Sequence, residues 1–320
     1  MTYPNPKNFC GGNFQDWLEV NLIEHCNAHC TWCIERDGYH PTYHAPVDVL
    51  IDAALATNKT NIILLGGEPT LYPNLAQLIH GLSEQNRRVW ITTNGSRLNW
   101  AFVWTHLSEI YGVNISLHHY KLDLNRQITG LRLHQQLLSD AIAALHNIGA
   151  TVRLNCNVIN GYIDSATHIR SYIAWAKQLG ADNIRFAELK NDKEHFVDLA
   201  KLFDHAYGLN NDPFTFGCHT DCVIDGMPVN FRQMCGLQTA LRIKPICPVQ
   251  YTKDVLYYDG KIYQGWQTMS KTKKLVEEIK KQLTEEEIRE LLCLLYQKEQ
   301  NEKEKIKFPA PTSNISGCMY

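Results

Sequence analysis

The sequence predicts an α/β fold: a partial (β/α)6 barrel with a small C-terminal module and a helical tail. Strand-like apolar runs recur six times, at 17–23, 62–65, 88–92, 113–117, 151–158 and 183–189, with helix-length segments between them. Such alternation requires parallel strands joined by helical crossovers on the outer face. Helical spacing is clearest in Leu137, Leu138, Ala141, Ile142, Leu145 and Ile148, ended by Gly149, and in Ile169, Tyr172, Ile173, Ala176 and Leu179, ended by Gly180. The strands alternate as well. Val152, Leu154, Cys156 and Val158 fall on one side of the fifth run and Arg153, Asn155 and Asn157 on the other; the first run separates Leu18, Val20 and Leu22 from Glu19 and Asn21. Helices cover the outside of a barrel, so the polar set is expected to line its lumen, a place for a polar ligand. Buried charges must be paired. Glu19 is therefore expected either to pair with Arg153 or Arg185 or to join them in contacting substrate.

In chain order, residues 1–16 read as an N-terminal extension and 17–210 as the barrel. Past the first strand come Cys26, Cys30 and Cys33, spaced C-x3-C-x2-C. A four-iron cubane needs four ligands, normally cysteine thiolates, so three clustered thiolates would leave one iron open to something that is not protein. Two other chemistries share this spacing: zinc on the thiolates with His25 or His29, and a Cys30–Cys33 redox dithiol. The second strand runs into Gly66, Gly67, Glu68 and Pro69. Glycines there let the backbone approach a ligand closely, and the same four residues suit an ordinary strand-to-helix turn opened by proline. Both motifs fall at the C-terminal ends of strands, where ligands of β/α barrels collect.

Together these residues resemble the signature of the radical S-adenosylmethionine (SAM) superfamily: a C-x3-C-x2-C with an aromatic residue, Trp32, before its last cysteine, followed at the right distance by G-G-E-P. The resemblance covers most of 17–190. Residues 89–95 (V-W-I-T-T-N-G) are similar to the third-strand segment of the subgroup that contains the GTP-cyclising enzyme of molybdenum-cofactor biosynthesis and the SPASM/twitch peptide-modifying enzymes. Asn114, Ile115, Ser116 and Leu117, then Ile128, Thr129 and Gly130, resemble its fourth strand and following loop; 152–158 and 184–188 resemble its fifth and sixth strands. His118 departs from the pattern, standing where many relatives carry Asp.

The resemblance implies that Cys26, Cys30 and Cys33 hold a 4Fe-4S cluster whose open iron is chelated by the methionine amino and carboxylate groups of SAM. One electron then breaks the C5′–S bond, and the resulting 5′-deoxyadenosyl radical takes a hydrogen atom from substrate. It further implies that Gly66, Gly67, Glu68 and Pro69 hold the methionine amino group, that Thr93 and Ser116 lie near the ribose or carboxylate, that Asn155 contacts the adenosine or methionine portion, and that Trp32 places its backbone near the adenine. Taken as residues alone, Thr93, Ser116 and Asn155 equally suit strand-end hydrogen bonding to local backbone. An electron donor such as flavodoxin or ferredoxin is implied as a partner.

Residues 211–268 break the β/α rhythm and carry Cys218, Cys222, Cys235 and Cys247. The resemblance makes this a twitch-like module with an auxiliary iron-sulfur cluster; zinc and unligated thiols are the other readings of the spacing. Asp259 and Gly260 read as a hairpin turn, while Gly265 and Trp266 stand where relatives often place a cluster cysteine. Cys10, Cys156, Cys293 and Cys318 are isolated and expected to be ordinary thiols. The charge-rich stretch 269–306 reads as amphipathic helix and 307–320 as a flexible tail.

With 320 residues, 44% of them hydrophobic, the chain can bury a substantial core. Its 31 basic and 33 acidic residues nearly cancel, leaving no electrostatic footprint for nucleic acid or an anionic membrane. Neither a membrane span nor a secretion signal is evident, and eleven cysteines suit a reducing cytoplasm. The expected function is a radical SAM enzyme acting on a small molecule (a nucleotide, sugar or amino-acid derivative), because no peptide-recognition domain precedes the first strand. A peptide-modifying maturase and a non-catalytic, zinc-stabilised binding protein are the alternatives.

Overall fold

The computed structural model describes residues 16–189, 192, 194–199, 201–202, 219–233, 253–267, 284 and 287. Residues 1–268 form one compact unit and 269–320 a second. Nearly all of the expected N-terminal extension, amphipathic segment and tail lies outside the described residues.

The strands are β1 (Trp17–Asn21), β2 (Asn61–Leu65), β3 (Arg88–Thr93), β4 (Gly112–Ser116), β5 (Thr151–Asn157), β6 (Asn183–Ala187), β7 (His219–Ile224), β8 (Met227–Arg232), β9 (Asp254–Tyr257) and β10 (Ile262–Gln264). Between them run α1 (Val47–Leu55), α2 (Leu75–Ser83), α3 (Trp100–His106), α4 (Leu122–Thr129), α5 (Gln135–Asn147) and α6 (Ala166–Leu179). One sheet holds all of these strands in the order β10-β9-β1-β2-β3-β4-β5-β6-β8-β7. Pairing is parallel from β9 through β8, and only the edge strands β10 and β7 run antiparallel to their neighbours.

Periodicity explains the packing. Leu18, Val20, Ile62, Leu64, Val89, Ile91, Val113, Ile115, Val152, Leu154, Ile184 and Phe186 are wholly buried with helix residues such as Leu50, Leu82, Val103, Ile142, Leu145 and Tyr172 in one core. Each such side chain contributes roughly 1.5–3 kcal/mol. A one-residue slip would turn the whole set into the lumen, so burial fixes the register. Helix α6 starts where the Ser165 side chain accepts from the His168 N–H, and it stops at Gly180, whose φ of 91° is left-handed.

The cysteine-rich stretch does more than follow the barrel. Its two hairpins extend both edges of the barrel sheet, β8 pairing with β6 and β9 with β1. Asp225 and Gly226, at φ 50° and 77°, make the two-residue turn between β7 and β8 that matches strand twist. Curling of the sheet brings Lys253, just before β9, into the electrostatic neighbourhood of Arg185 and Arg232 on β6 and β8.

Candidate active site

The two sequence motifs meet at the ends of β1 and β2. Gly67 N–H donates to the Ile23 carbonyl at 2.6 Å and Glu68 N–H to the His25 carbonyl at 2.8 Å. A Cβ at Gly66 would collide with the Ile23 carbonyl, and one at Gly67 with the carbonyls of Glu24 and His25. The glycines are thus required by the chain leading to Cys26, which lies directly against them. This locks the G-G-E-P loop to the cysteine loop.

Glu68 is 1% exposed and its carboxylate is satisfied by protein donors. It accepts from Thr70 N–H at 3.1 Å, the Thr70 hydroxyl at 2.5 Å, the Thr93 hydroxyl at 2.5 Å and Asn94 N–H at 2.7 Å. Asn94 continues the chain of bonds. Its side-chain N–H donates to Asn27 at 2.8 Å and reaches the Cys26 sulfur at 3.9 Å, while Asn27 donates to the Ser96 hydroxyl at 2.9 Å. The strand-end segment T-T-N-G therefore positions the cysteine loop, a role that sequence reading missed by singling out Thr93 alone.

The three cysteines are partly buried. Burial pushes the Cys30 thiol up to about 12, with Cys33 and Cys26 as charged neighbours adding to the shift, and burial likewise raises Cys26. Thiols held together in this way favour protonation until a metal takes up their charge, and metal binding releases the protons. Among the described residues no group of three or more His, Cys, Asp or Glu side chains is drawn together for a metal ion. Thiolates at the corners of a cubane stand further apart than the ligands of one ion. The donor set, all sulfur and three in number, suits a cluster with one open iron.

Toward the lumen, Ser116 and Asn155 are register partners on β4 and β5. The Asn155 Oδ1 atom is buried and has no hydrogen-bond partner among the described residues. A buried orphan acceptor of this kind calls for a polar ligand. Thr93 differs from the expectation: it shares the strand face of Val89 and Ile91 and spends its hydroxyl on Glu68. Thr92 takes the lumen side instead, accepting from Asn114 at 3.2 Å. Trp32 lies edge-on to His118, ring centroids 5.6 Å apart. His118 accepts the Asn157 N–H at Nδ1 over 3.2 Å, and burial lowers its pKa to about 4, so it stands as a neutral backbone acceptor.

Of the second cysteine group, Cys218, Cys235 and Cys247 lie outside the described residues. Cys222 packs against the helix-side core, where burial raises its thiol to about 12. Cys156 is wholly buried on that same side.

Residues 20–170, which span the cysteine loop, the G-G-E-P loop and β2 to β5, match the Radical SAM superfamily. Over this stretch the chain is similar to the radical SAM superfamily. Members of this superfamily work with a 4Fe-4S cluster and SAM, which fits the sulfur donors and the orphan acceptor described above. Among its relatives, a probable GTP 3′,8-cyclase of Saccharolobus islandicus is 29% identical over 192 residues, covering 58% of this chain and 59% of the relative. The GTP 3′,8-cyclase of Vibrio cholerae is 25% identical over 216 residues, 63% and 61% of the two chains. An S-adenosylmethionine-dependent nucleotide dehydratase of Lacinutrix mariniflava is 25% identical over 203 residues, 59% and 42% of the two. The match thus spans about three fifths of the cyclases' length. In fold, the chain resembles Streptococcus suis SuiB bound to S-adenosylmethionine, with TM-score 0.56 and 18% identity over 80% of this chain and 63% of SuiB. It also resembles anSMEcpe with bound AdoMet and a peptide, with TM-score 0.52 and 18% identity over 78% and 76% of the two. Among the described residues no helix is long and apolar enough to cross a membrane.

Proposed function

We propose that this chain cleaves SAM reductively and uses the product to take a hydrogen atom from a small molecule held in the barrel lumen. The observation that carries this reading is the junction of the two motifs, in which Gly66 and Gly67 lie against the chain entering Cys26. When bound, the cluster and SAM supply the one-electron cleavage of the sulfonium and a primary carbon radical. The protein's part is positional. Cys26, Cys30 and Cys33 hold three irons; the backbone of Gly66 and Gly67, with Glu68 and Pro69 behind it, receives the methionine amino group; Ser116 and Asn155 take polar atoms of SAM; Trp32 walls the adenine. Thr93 acts through Glu68 and makes no contact of its own in this assignment. Enclosure by the sheet keeps water and stray C–H bonds from the radical.

The lumen's polar lining supports a small polar substrate, and the names of the cyclase and dehydratase relatives point toward nucleotides. A one-electron donor of the flavodoxin or ferredoxin kind completes the scheme. Because the Cys222 thiol packs outward, an auxiliary cluster would draw its ligands from Cys218, Cys235 and Cys247.

The test is anaerobic reconstitution of the full chain with iron and sulfide, followed by SAM and a strong reductant. A brown protein that releases 5′-deoxyadenosine is expected, and replacing Cys26, Cys30 and Cys33 by Ala should abolish release. Iron left in that triple variant would reveal a second cluster. An iron-replete preparation that leaves SAM intact overturns the proposal, and a colourless zinc protein would instead favour a binding role.

A further inference from the structure

The lumen wall formed by β5, β6 and β8 carries more positive than negative charge. Arg153, Arg185 and Arg232 share the face of Asn155, and Lys253 approaches them from the other edge of the sheet. Against these four cations stand two carboxylates, Glu19 and Asp221. Glu19 is taken by Lys253 and by the Trp266 indole N–H. Asp221 is exposed and accepts from Asn230 at 2.7 Å. Arg153 donates through Nε to Asn183, and Arg185 through Nε to Asn230 at 2.7 Å. Among the described residues none of the three guanidinium groups makes an ion pair, and that of Arg232 makes no hydrogen bond.

Guanidinium groups withdrawn from water without counter-charge are costly, and an anion entering between them removes that cost. Arginine suits this task because its planar fork matches phosphate and carboxylate oxygens. Burial depresses both Arg185 and Arg153, and mutual repulsion with Arg153 and Arg232 adds to the strain on Arg185. The depth is also right. Arg185 is the register partner of Asn155, itself the partner of Ser116, so the cations begin beside the proposed SAM contacts. Arg232 lies one layer nearer the mouth, opposite Ala187.

We infer that Arg185 and Arg232, with Arg153 below them, form the subsite for an anionic group of the substrate, a phosphate or a carboxylate. This rests on the proposed function, since it places the substrate's charged end on the β5–β6–β8 wall and leaves its reacting carbon toward the cluster side.

The experiment uses the full chain with its cluster assembled. Calorimetric titration is made with inorganic tripolyphosphate and, separately, with tricarballylate, in the presence of SAM. One of the two is expected to saturate a single site, naming phosphate or carboxylate as the group recognised. Affinity should fall about tenfold or more in Arg185→Gln and in Arg232→Gln, as for lost charge-assisted bonds. It should be partly retained in Arg185→Lys and unchanged in Arg132→Gln at the exposed surface. Iron content and 5′-deoxyadenosine release without substrate, read on the same samples, separate lost binding from lost folding. Wild-type protein that cleaves SAM but binds neither anion overturns the subsite while sparing the proposed function, as does binding unaffected in both Gln variants. Wild-type protein that binds an anion through these arginines yet never cleaves SAM supports the subsite and overturns the function.

Discussion

The Thr93 hydroxyl donates to Glu68 Oε1 at 2.5 Å, tying the end of β3 to the loop that follows β2. Glu68 is thereby a positioning residue. Its oxygens meet only donors, so Glu68→Gln must point an N–H₂ at Thr70 and Thr93 or at Asn94 N–H, costing roughly 1–3 kcal/mol. We expect SAM affinity to fall about tenfold by equilibrium dialysis while iron content stays at the wild-type level. Parallel loss of iron would mean that the loop holds the cluster rather than its ligand.

What could be read from sequence was local. The six barrel strands end within two residues of their expected bounds, because alternation marks both faces of a strand. The motifs were legible because backbone approach and sulfur chemistry restrict residue type. Non-local pairing was not legible. The partners of β1 and β6 at the sheet edges, β9 and β8, arrive from far along the chain, and Asp225–Gly226 was an unread hairpin signal. Distance in sequence also hid the partner of Glu19, which is Lys253 rather than Arg153 or Arg185. Leu137 fitted the helical stripe of α5 yet is 48% exposed, since spacing cannot tell the edge of an apolar face from its centre.

Glu19 and Lys253 should respond unequally to mutation. Burial pushes the Glu19 carboxyl up, but Lys253, Trp266 and Arg232 outweigh it and hold the group low. Lys253 is lowered by burial, and Arg232 and Arg185 work against its attraction to Glu19. Lys253→Met leaves Glu19 with two arginine neighbours, whereas Glu19→Gln leaves four cations facing Asp221 alone. We expect about 1 kcal/mol lost in the first and about 3 kcal/mol in the second, measured by urea unfolding. Equal losses would indicate that the pair acts in isolation.

His118 makes stability depend on pH. Its folded pKa, about 4, lies below the ordinary 6.5, so the unfolded chain binds the extra proton first. The contribution is complete above pH 6.5 and is lost as pH falls toward 4, amounting to about 3 kcal/mol. His119, lowered to about 4 chiefly by burial, with His168 and Lys121 as charged neighbours, adds a slope of the same sign in the same window. His118→Asn retains an acceptor for the Asn157 N–H and should flatten the decline between pH 7 and 5 by roughly one proton. An unchanged slope would mean that His118 is hydrated in solution.

Asn94 offers the sharpest test of the link between fold and cluster. Its side-chain N–H reaches the Cys26 sulfur at 3.9 Å, beside the Ala28 N–H at 3.4 Å. Hydrogen bonds to cluster sulfurs favour the reduced, more negative state and so raise the potential. Asn94→Ala removes the longer bond and also the clasp on Asn27, while the Asn94 backbone still donates to Glu68. A weak bond of this kind is worth roughly 0.5–1 kcal/mol, which corresponds to about 20–40 mV for one electron. Potentiometry followed by electron paramagnetic resonance should therefore show a more negative midpoint in the variant, with iron content preserved. A midpoint that does not move would assign Asn94 to loop anchoring alone. Because the Ala28 bond comes from backbone that the substitution leaves in place, a shift much beyond this range would instead report a displaced Cys26.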